Sequence, residues 1–251
     1  MMDNQFEQLR EAIRLRFEPR RHSALLIAII TAFAVRPMIG DSGGAEAVFG
    51  VALVLLLLIA LYNINVDELV STGGRLTAPR RRRIIGWTLA IAAGVGRVSV
   101  ILIPNKTFNL IETFCSLFFV LFVTVSELRS VLRQREVTSE TICLAVSVYL
   151  LVGFTWTLLY VVMFQRHPES FAGLATIQPT DPTNLQHIFP VFGYYSLGTL
   201  STIGGGDITP VGLQARYATV AEAIVGQFYL AILVARLVGL QMSQSMSRNT
   251  D

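Results

Sequence analysis

Apolar residues in this chain run in long blocks rather than alternating with polar ones, and short arginine-rich or glycine-rich stretches separate the blocks. Six blocks approach the roughly 20 apolar residues that a helix needs to cross a bilayer's hydrocarbon core. They predict spanning helices at Ala24 to Gly40, Ala47 to Asn63, Ile84 to Ile103, Asn109 to Glu127, Thr141 to Phe164 and Tyr217 to Leu240. A seventh block, Ile188 to Ser201, is apolar and aromatic but too short to span, and Gly204 to Pro210 interrupt the chain before the last helix. That pattern predicts a re-entrant segment. Ahead of the first block, Phe6, Leu9, Ile13 and Phe17 recur at helical spacing opposite Glu7, Arg10, Glu11 and Arg14, which predicts an amphipathic helix on the inner membrane surface. The expected fold class is an all-α membrane protein with six transmembrane helices and one re-entrant helix and loop.

Composition narrows the class without changing it. The chain is 53% hydrophobic and 15% charged, with a mean hydropathy of +0.57, too apolar for an ordinary soluble domain. The net charge of +3 resides in arginines beside apolar runs, so it reads as membrane topology; neither nucleic acid nor a soluble substrate is expected as a partner, and membrane lipid is. Arg10, Arg14, Arg16, Arg20 and Arg21 precede the first helix, Arg75 and Arg80 to Arg83 join the second and third, and Arg129, Arg133 and Arg135 follow the fourth. The opposite connections carry only Arg36, Lys106, Arg166 and Arg216. The positive-inside rule therefore puts both termini in the cytoplasm of a multi-pass cell-membrane protein and the loop from Ile188 to Pro210 outside. Cys115 and Cys143 lie inside apolar runs and predict no disulfide or metal site. His22, His167 and His187 lie in flanks or loops without paired metal-ligand spacing. No cleavage site follows the charged stretch from Glu7 to His22, so the first helix is expected to stay as an anchor.

The chemistry concentrates in Thr202-Ile203-Gly204-Gly205-Gly206-Asp207. Three consecutive glycines at membrane depth are not helical padding, since Gly costs about 1 kcal/mol against Ala in a helix interior. Gly permits positive φ, so successive peptides can alternate in handedness and turn their carbonyls to one side. Several copies of such a strip around a symmetry axis replace a cation's hydration shell with carbonyl oxygens, which implies a homo-oligomer. The short helix before the glycines aims its C-terminal dipole, equivalent to about half a negative charge, at that axis. Asp207 adds formal negative charge at the mouth.

The run Tyr194-Tyr195-Ser196-Leu197-Gly198-Thr199-Leu200-Ser201-Thr202-Ile203-Gly204-Gly205-Gly206-Asp207-Ile208-Thr209-Pro210 resembles the pore helix, filter and outer mouth of potassium channels, whose filter reads Thr-Val-Gly-Tyr-Gly-Asp. The resemblance covers about Thr141 to Leu240. It implies a homotetramer that conducts potassium passively, with potassium as permeant ligand at Thr202, Ile203, Gly204 and Gly205, Gly206 completing the filter, and no other cofactor. It further implies Asp207 at the outer mouth, filter support from Tyr194, Tyr195, Thr199 and Ser201, and Gly226 at the inner-helix hinge. On this reading residues 1–22 are a cytoplasmic juxtamembrane helix, 23–135 a four-helix bundle like a voltage-sensor domain without gating charges, 136–243 a pore domain and 244–251 a cytoplasmic tail. The outer connection from Gln165 to His187 is expected to form a turret. The departure from the family is Gly205, which stands where an aromatic ring normally wedges against the pore helix. Tyr194, Tyr195 and Phe192 are candidates to fill that space.

Between Asn109 and Ser126 the only charged residue is Glu112, so steep voltage gating is not expected; nor is the chain read as an enzyme. Arg97, inside the third helix, forms a candidate intramembrane ion pair with Glu112. Glu222 is expected behind the filter, bonded to loop backbone, and Arg236 near enough to the cytoplasm to snorkel. The tail after Leu240 is too short for a ligand-binding module, so control is expected from another chain or the membrane. The alternatives are a non-selective or sodium-permeant cation channel, which Gly205 supports; an intramembrane enzyme using Ser196 or Ser201, which lacks a histidine in any spanning helix; a secondary transporter, which would show paired broken helices; and a non-conducting accessory subunit.

Overall fold

The computed structural model describes residues 21–39, 80–102, 105–134, 136–174 and 185–248. The expected helix from Ala47 to Asn63, residues 1–20 of the amphipathic segment and residues 175–184 of the outer loop lie outside the described residues. The described helices are α1 (Arg21–Ile39), α2 (Arg80–Leu102), α3 (Lys106–Arg133), α4 (Ser139–Arg166), α5 (Leu185–Leu200) and α6 (Leu213–Arg248). A 3-10 turn, Pro168–Ser170, leads into strand β1 (Phe171–Ala172), and β2 (Thr209–Pro210) lies between α5 and α6. Among the described residues, α3, α4 and the stretch Leu213–Ser243 of α6 are long and apolar enough to cross a membrane. The two-residue strands pair antiparallel, Phe171 with Pro210 and Ala172 with Thr209, a small departure from the all-α expectation.

Helix ends follow local chemistry. The Asn105 side chain accepts from the Thr107 N–H and caps α3, while Thr138 and Thr141 form a capping box at the start of α4. The N-terminus of α1 is capped from another helix: the Glu140 Oε2 of α4 accepts from the N–H of His22 at 3.0 Å and of Ser23 at 3.2 Å, and the Ser23 hydroxyl donates to Oε1. Helix α3 runs past the expected end at Glu127, so Arg129 and Arg133 lie inside its last turns rather than beyond it. Nothing between Leu128 and Arg133 breaks a helix, Val131 is buried, and a cation in the last turn complements the helix dipole. Helix α6 likewise continues through Arg248, so residues 244–248 of the expected tail extend it.

Helix α4 is the central element. Leu151, Phe154 and Leu158 pack with Leu25 and Ile29 of α1, Ala93 of α2 and Phe119 and Val123 of α3. At one end Tyr160 and Phe164 join Phe171, Ile188, Phe192, Tyr195, Ile208 and Ala215. At the other end Leu144, Ala145 and Val148 meet Val131 of α3, with Tyr229 and Leu233 of α6 alongside. Helix α6 buries only 6% of its apolar window. Its contacts with α4 and α5 run along Ala215, Thr219, Glu222, Gly226 and Tyr229, one face at helical spacing, and much of that face is small or polar. Its exposed positions, among them Tyr217, Val220, Ile224, Phe228 and Ile232, are apolar. This reversal of a soluble helix's pattern suits a helix whose outer surroundings are lipid or other apolar helices.

Candidate functional site

The segment from Thr202 to Asp207 hangs between the C-terminus of α5 and the start of α6. Helix α5 passes into it through a tightened last turn: Ser201 N–H donates to the Leu197 carbonyl, Thr202 N–H to Thr199 and Gly204 N–H to Gly198, each at 3.0 Å. The end of α5 is thereby folded against the segment that follows, and the helix's negative end points into it. Positive φ occurs at Thr202 (60°) and Gly204 (68°), with Ile203 between them outside that region. The expected alternation of handedness is present there but does not extend to Gly205 or Gly206, neither of which takes positive φ. A β-branched residue in the left-handed region carries strain of about 1–3 kcal/mol, and such strain persists where the surroundings over-determine the backbone. Ile203 is 84% exposed in the single chain, and residues 202–207 are all exposed.

The predicted filter and support residues fall into distinct surroundings. A Cβ at Gly205 would stand 2.9 Å from the Asp207 Oδ1 and 3.3 Å from the Tyr194 hydroxyl oxygen, so the space beside Gly205 holds Tyr194. Tyr195 and Phe192 do not reach it. Phe192 is buried against Phe171, ring centroids 4.9 Å apart, and Tyr195 packs edge-on to Tyr160 at 5.1 Å while its hydroxyl meets the Thr219 hydroxyl at 2.7 Å. The Ser201 hydroxyl donates back to the Leu197 carbonyl of its own helix. Thr199 is buried, and its carbonyl accepts the Thr202 N–H. Gly226 lies within an unbroken α6, where a Cβ would stand 2.5 Å from the Leu200 carbonyl oxygen. This glycine is a close-approach contact between the inner helix and the end of α5. Glu112 lies on α3 facing α2, where a Cβ on Gly96 would be 3.3 Å from its Cα; it accepts from Ser116, and the Arg97 side chain lies outside the described residues.

Further residues hold this region, two of them, Tyr149 and Gln227, without a local sequence signal. Tyr149 of α4 donates to the Leu200 carbonyl at 3.1 Å. Gln227 of α6 reaches the Thr202 hydroxyl at 3.5 Å. Glu222 accepts from the Tyr160 hydroxyl at 2.6 Å and the Ser196 hydroxyl at 2.5 Å, a side-chain arrangement in place of the expected bond to loop backbone. Ser196 is fully buried. Arg236 donates to the Gln134 carbonyl at 2.9 Å and so ties the far end of α6 to the link between α3 and α4.

The Asp207 end of the loop is strapped by the segment after α4. The Ser170 carbonyl accepts from Val211 and Gly212, β1 pairs with β2, and Gly173, at φ 90°, lies so close to the Asp207 carbonyl that a Cβ there would stand 1.8 Å from its oxygen. Glu169, on this strap, is held below the usual carboxylate range, first by a backbone hydrogen bond; desolvation opposes this, and His167 at 3.2 Å assists it.

The site is thus a short apolar helix that ends in an exposed glycine-rich loop beside a helix long and apolar enough to cross a membrane. Residues 185–241, which comprise α5, the loop and most of α6, match a family model described as ion channel. No curated protein and no solved structure matches the chain.

Proposed function

We propose that this chain is one subunit of a homotetrameric potassium channel, in which four Thr202–Asp207 segments surround a common axis and conduct passively without steep voltage gating. The observation that carries the reading is the Thr202–Gly204 backbone, held in alternating handedness at the negative end of α5 with its far side exposed, inside a stretch that matches an ion-channel family. In the proposed ring, carbonyls of Thr202, Ile203, Gly204 and Gly205 and the Thr202 hydroxyl line the axis, and Asp207 concentrates cations at the outer mouth. In that ring the exposed apolar face of α6 meets the neighbouring subunits, and both termini lie in the cytoplasm. The absence of Arg and Lys between Asn109 and Ser126 supports weak voltage dependence.

Gly205 favours a second reading, a non-selective or sodium-permeant cation channel. The Tyr194 ring reaches the space beside Gly205 from the pore helix, but it is not covalently part of the filter, so it holds the carbonyls less directly than a filter aromatic would. The deciding measurement is the reversal potential of the purified protein in a planar bilayer, with potassium on one side, sodium on the other and symmetrical chloride. A reversal near the potassium equilibrium potential is expected. One near zero replaces it with the non-selective reading, and absence of current from a verified tetramer refutes conduction.

A further inference from the structure

Glu222, Ser196 and Tyr160 come from α6, α5 and α4, and all three are fully buried within a single chain. A carboxylate at such a place is costly unless its oxygens are bonded, and a leucine would fill the volume at lower cost. Each Glu222 oxygen has a hydroxyl donor, Ser196 at Oε1 and Tyr160 at Oε2. The Ser196 hydroxyl also lies 2.8 Å from the Gly153 carbonyl, which brings a second point of α4 to the same junction. One turn along α6 on either side, Thr219 meets Tyr195 and Gly226 lies against Leu200. These flanking contacts are a neutral hydroxyl pair and a van der Waals contact; the Glu222 junction is the short, directional one and it joins three elements.

Resting on the conduction reading above, we infer that Glu222 is a positioning residue for the filter, the fastening that makes the inner helix and the pore helix move as one body. A shift of α6 along its axis either breaks the bond to Ser196 or carries α5 with it. The C-terminus of α5 holds Thr202 and Gly204 through Thr199 and Gly198, so a shift of α5 moves the filter backbone. Filter geometry thereby becomes dependent on inner-helix position through a side chain that touches no ion.

The test uses the full-length tetramer in planar bilayers with three variants, Glu222→Gln, Ser196→Ala and Glu222→Gln with Ser196→Ala, each read for mean open-burst length, permeability ratio and thermal stability. Glu222→Gln keeps the shape but offers an amide donor where one hydroxyl needs an acceptor, and Ser196→Ala removes one fastening hydroxyl and with it the donor to Glu222 Oε1, while the Tyr160 bond to Oε2 stays. The expected result is a roughly tenfold shorter burst in Glu222→Gln, equivalent to about 1.4 kcal/mol, and a smaller loss in Ser196→Ala. The double variant is expected to be little worse than Glu222→Gln alone, because the two residues act as one unit. If Glu222→Gln does not assemble, Ser196→Ala decides. Wild-type burst length and permeability in the variants, with only thermal stability lowered, reduce Glu222 to a packing role and overturn the inference. A silent wild-type tetramer overturns the conduction reading itself and this inference with it.

Discussion

Replacing Gly226 with alanine separates two roles for this residue, because they predict opposite signs. Alanine in a helix interior is worth about 1 kcal/mol over glycine, so at an unobstructed position the variant is more stable. Position 226 is obstructed: the new Cβ would stand 2.5 Å from the Leu200 carbonyl oxygen and 2.9 Å from Leu200 Cδ1. The leucine side chain can rotate away, but the carbonyl belongs to the last turn of α5 and is held from the other side by the Tyr149 hydroxyl at 3.1 Å. Reaching ordinary contact, from 2.5 Å to 3.4 Å, requires a shift of about 0.9 Å between α5 and α6, and overpacking of this kind costs about 1–3 kcal/mol. The net expectation is a destabilisation of up to about 2 kcal/mol per subunit after the propensity gain.

Thermal unfolding in detergent reads this directly, since about 1 kcal/mol shifts the midpoint of a domain of 150–250 residues by roughly 2–4 °C. Gly226→Ala is expected to lower the midpoint, and adding Tyr149→Phe is expected to recover part of the loss by freeing the carbonyl to move. A raised midpoint refutes the packing argument. If it comes with altered opening, glycine at 226 serves bending of α6 rather than its approach to α5.

Three further variants probe other joints. Gly173→Ala places a Cβ 1.8 Å from the Asp207 carbonyl oxygen at a φ of 90° that alanine disfavours, so it is expected to displace the outer mouth and reduce unitary conductance; unchanged conductance removes the strap from the mechanism. Glu140→Ala strips the acceptor from the His22 and Ser23 donors at the start of α1, with an expected loss of about 1–3 kcal/mol, read as a lowered unfolding midpoint; Ser23→Ala should cost less. Asp207→Asn is expected to lower inward cation conductance at low salt and to converge on wild type at high salt, where the Debye length falls to about 3 Å at 1 M; equal conductance at every ionic strength excludes an electrostatic role for Asp207.

The helical class and the short helix followed by a glycine-rich loop were legible because each rests on a local signal. Apolar block length marks a spanning helix regardless of its partners, and three glycines beside a short aromatic helix mark a backbone that a regular element cannot use. What the glycines do individually was not legible. Only Gly204 takes positive φ, Gly205 leaves space beside Tyr194 and Asp207, and the second left-handed residue is Thr202, against its local preference. That choice is set by how the last turn of α5 closes, with the Thr199 and Gly198 carbonyls accepting the following N–H groups, and by Gln227 of α6. The end of α3 was misread for a related reason: a run of arginines marks the membrane boundary, whereas a helix continues through that boundary until its hydrogen bonds are capped, here at Gln134.

The stripe on α6 escaped periodicity analysis because a helix apolar on most of its circumference gives little contrast, and in lipid the informative residues are the small and polar ones that face protein. Thr219, Glu222, Gly226 and Tyr229 recur at intervals of three and four, each with a partner on α4 or α5. Read along that face, the inner helix fixes α5 from within while β1 and the Ser170 carbonyl fix the chain just beyond Asp207 from without. Thr202 to Asp207 are thus anchored at both ends and along one side, with the other side exposed. In the proposed tetramer the carbonyl spacing then follows from where four α5–α6 pairs meet, so a change that loosens this junction should alter selectivity even when every filter residue is intact.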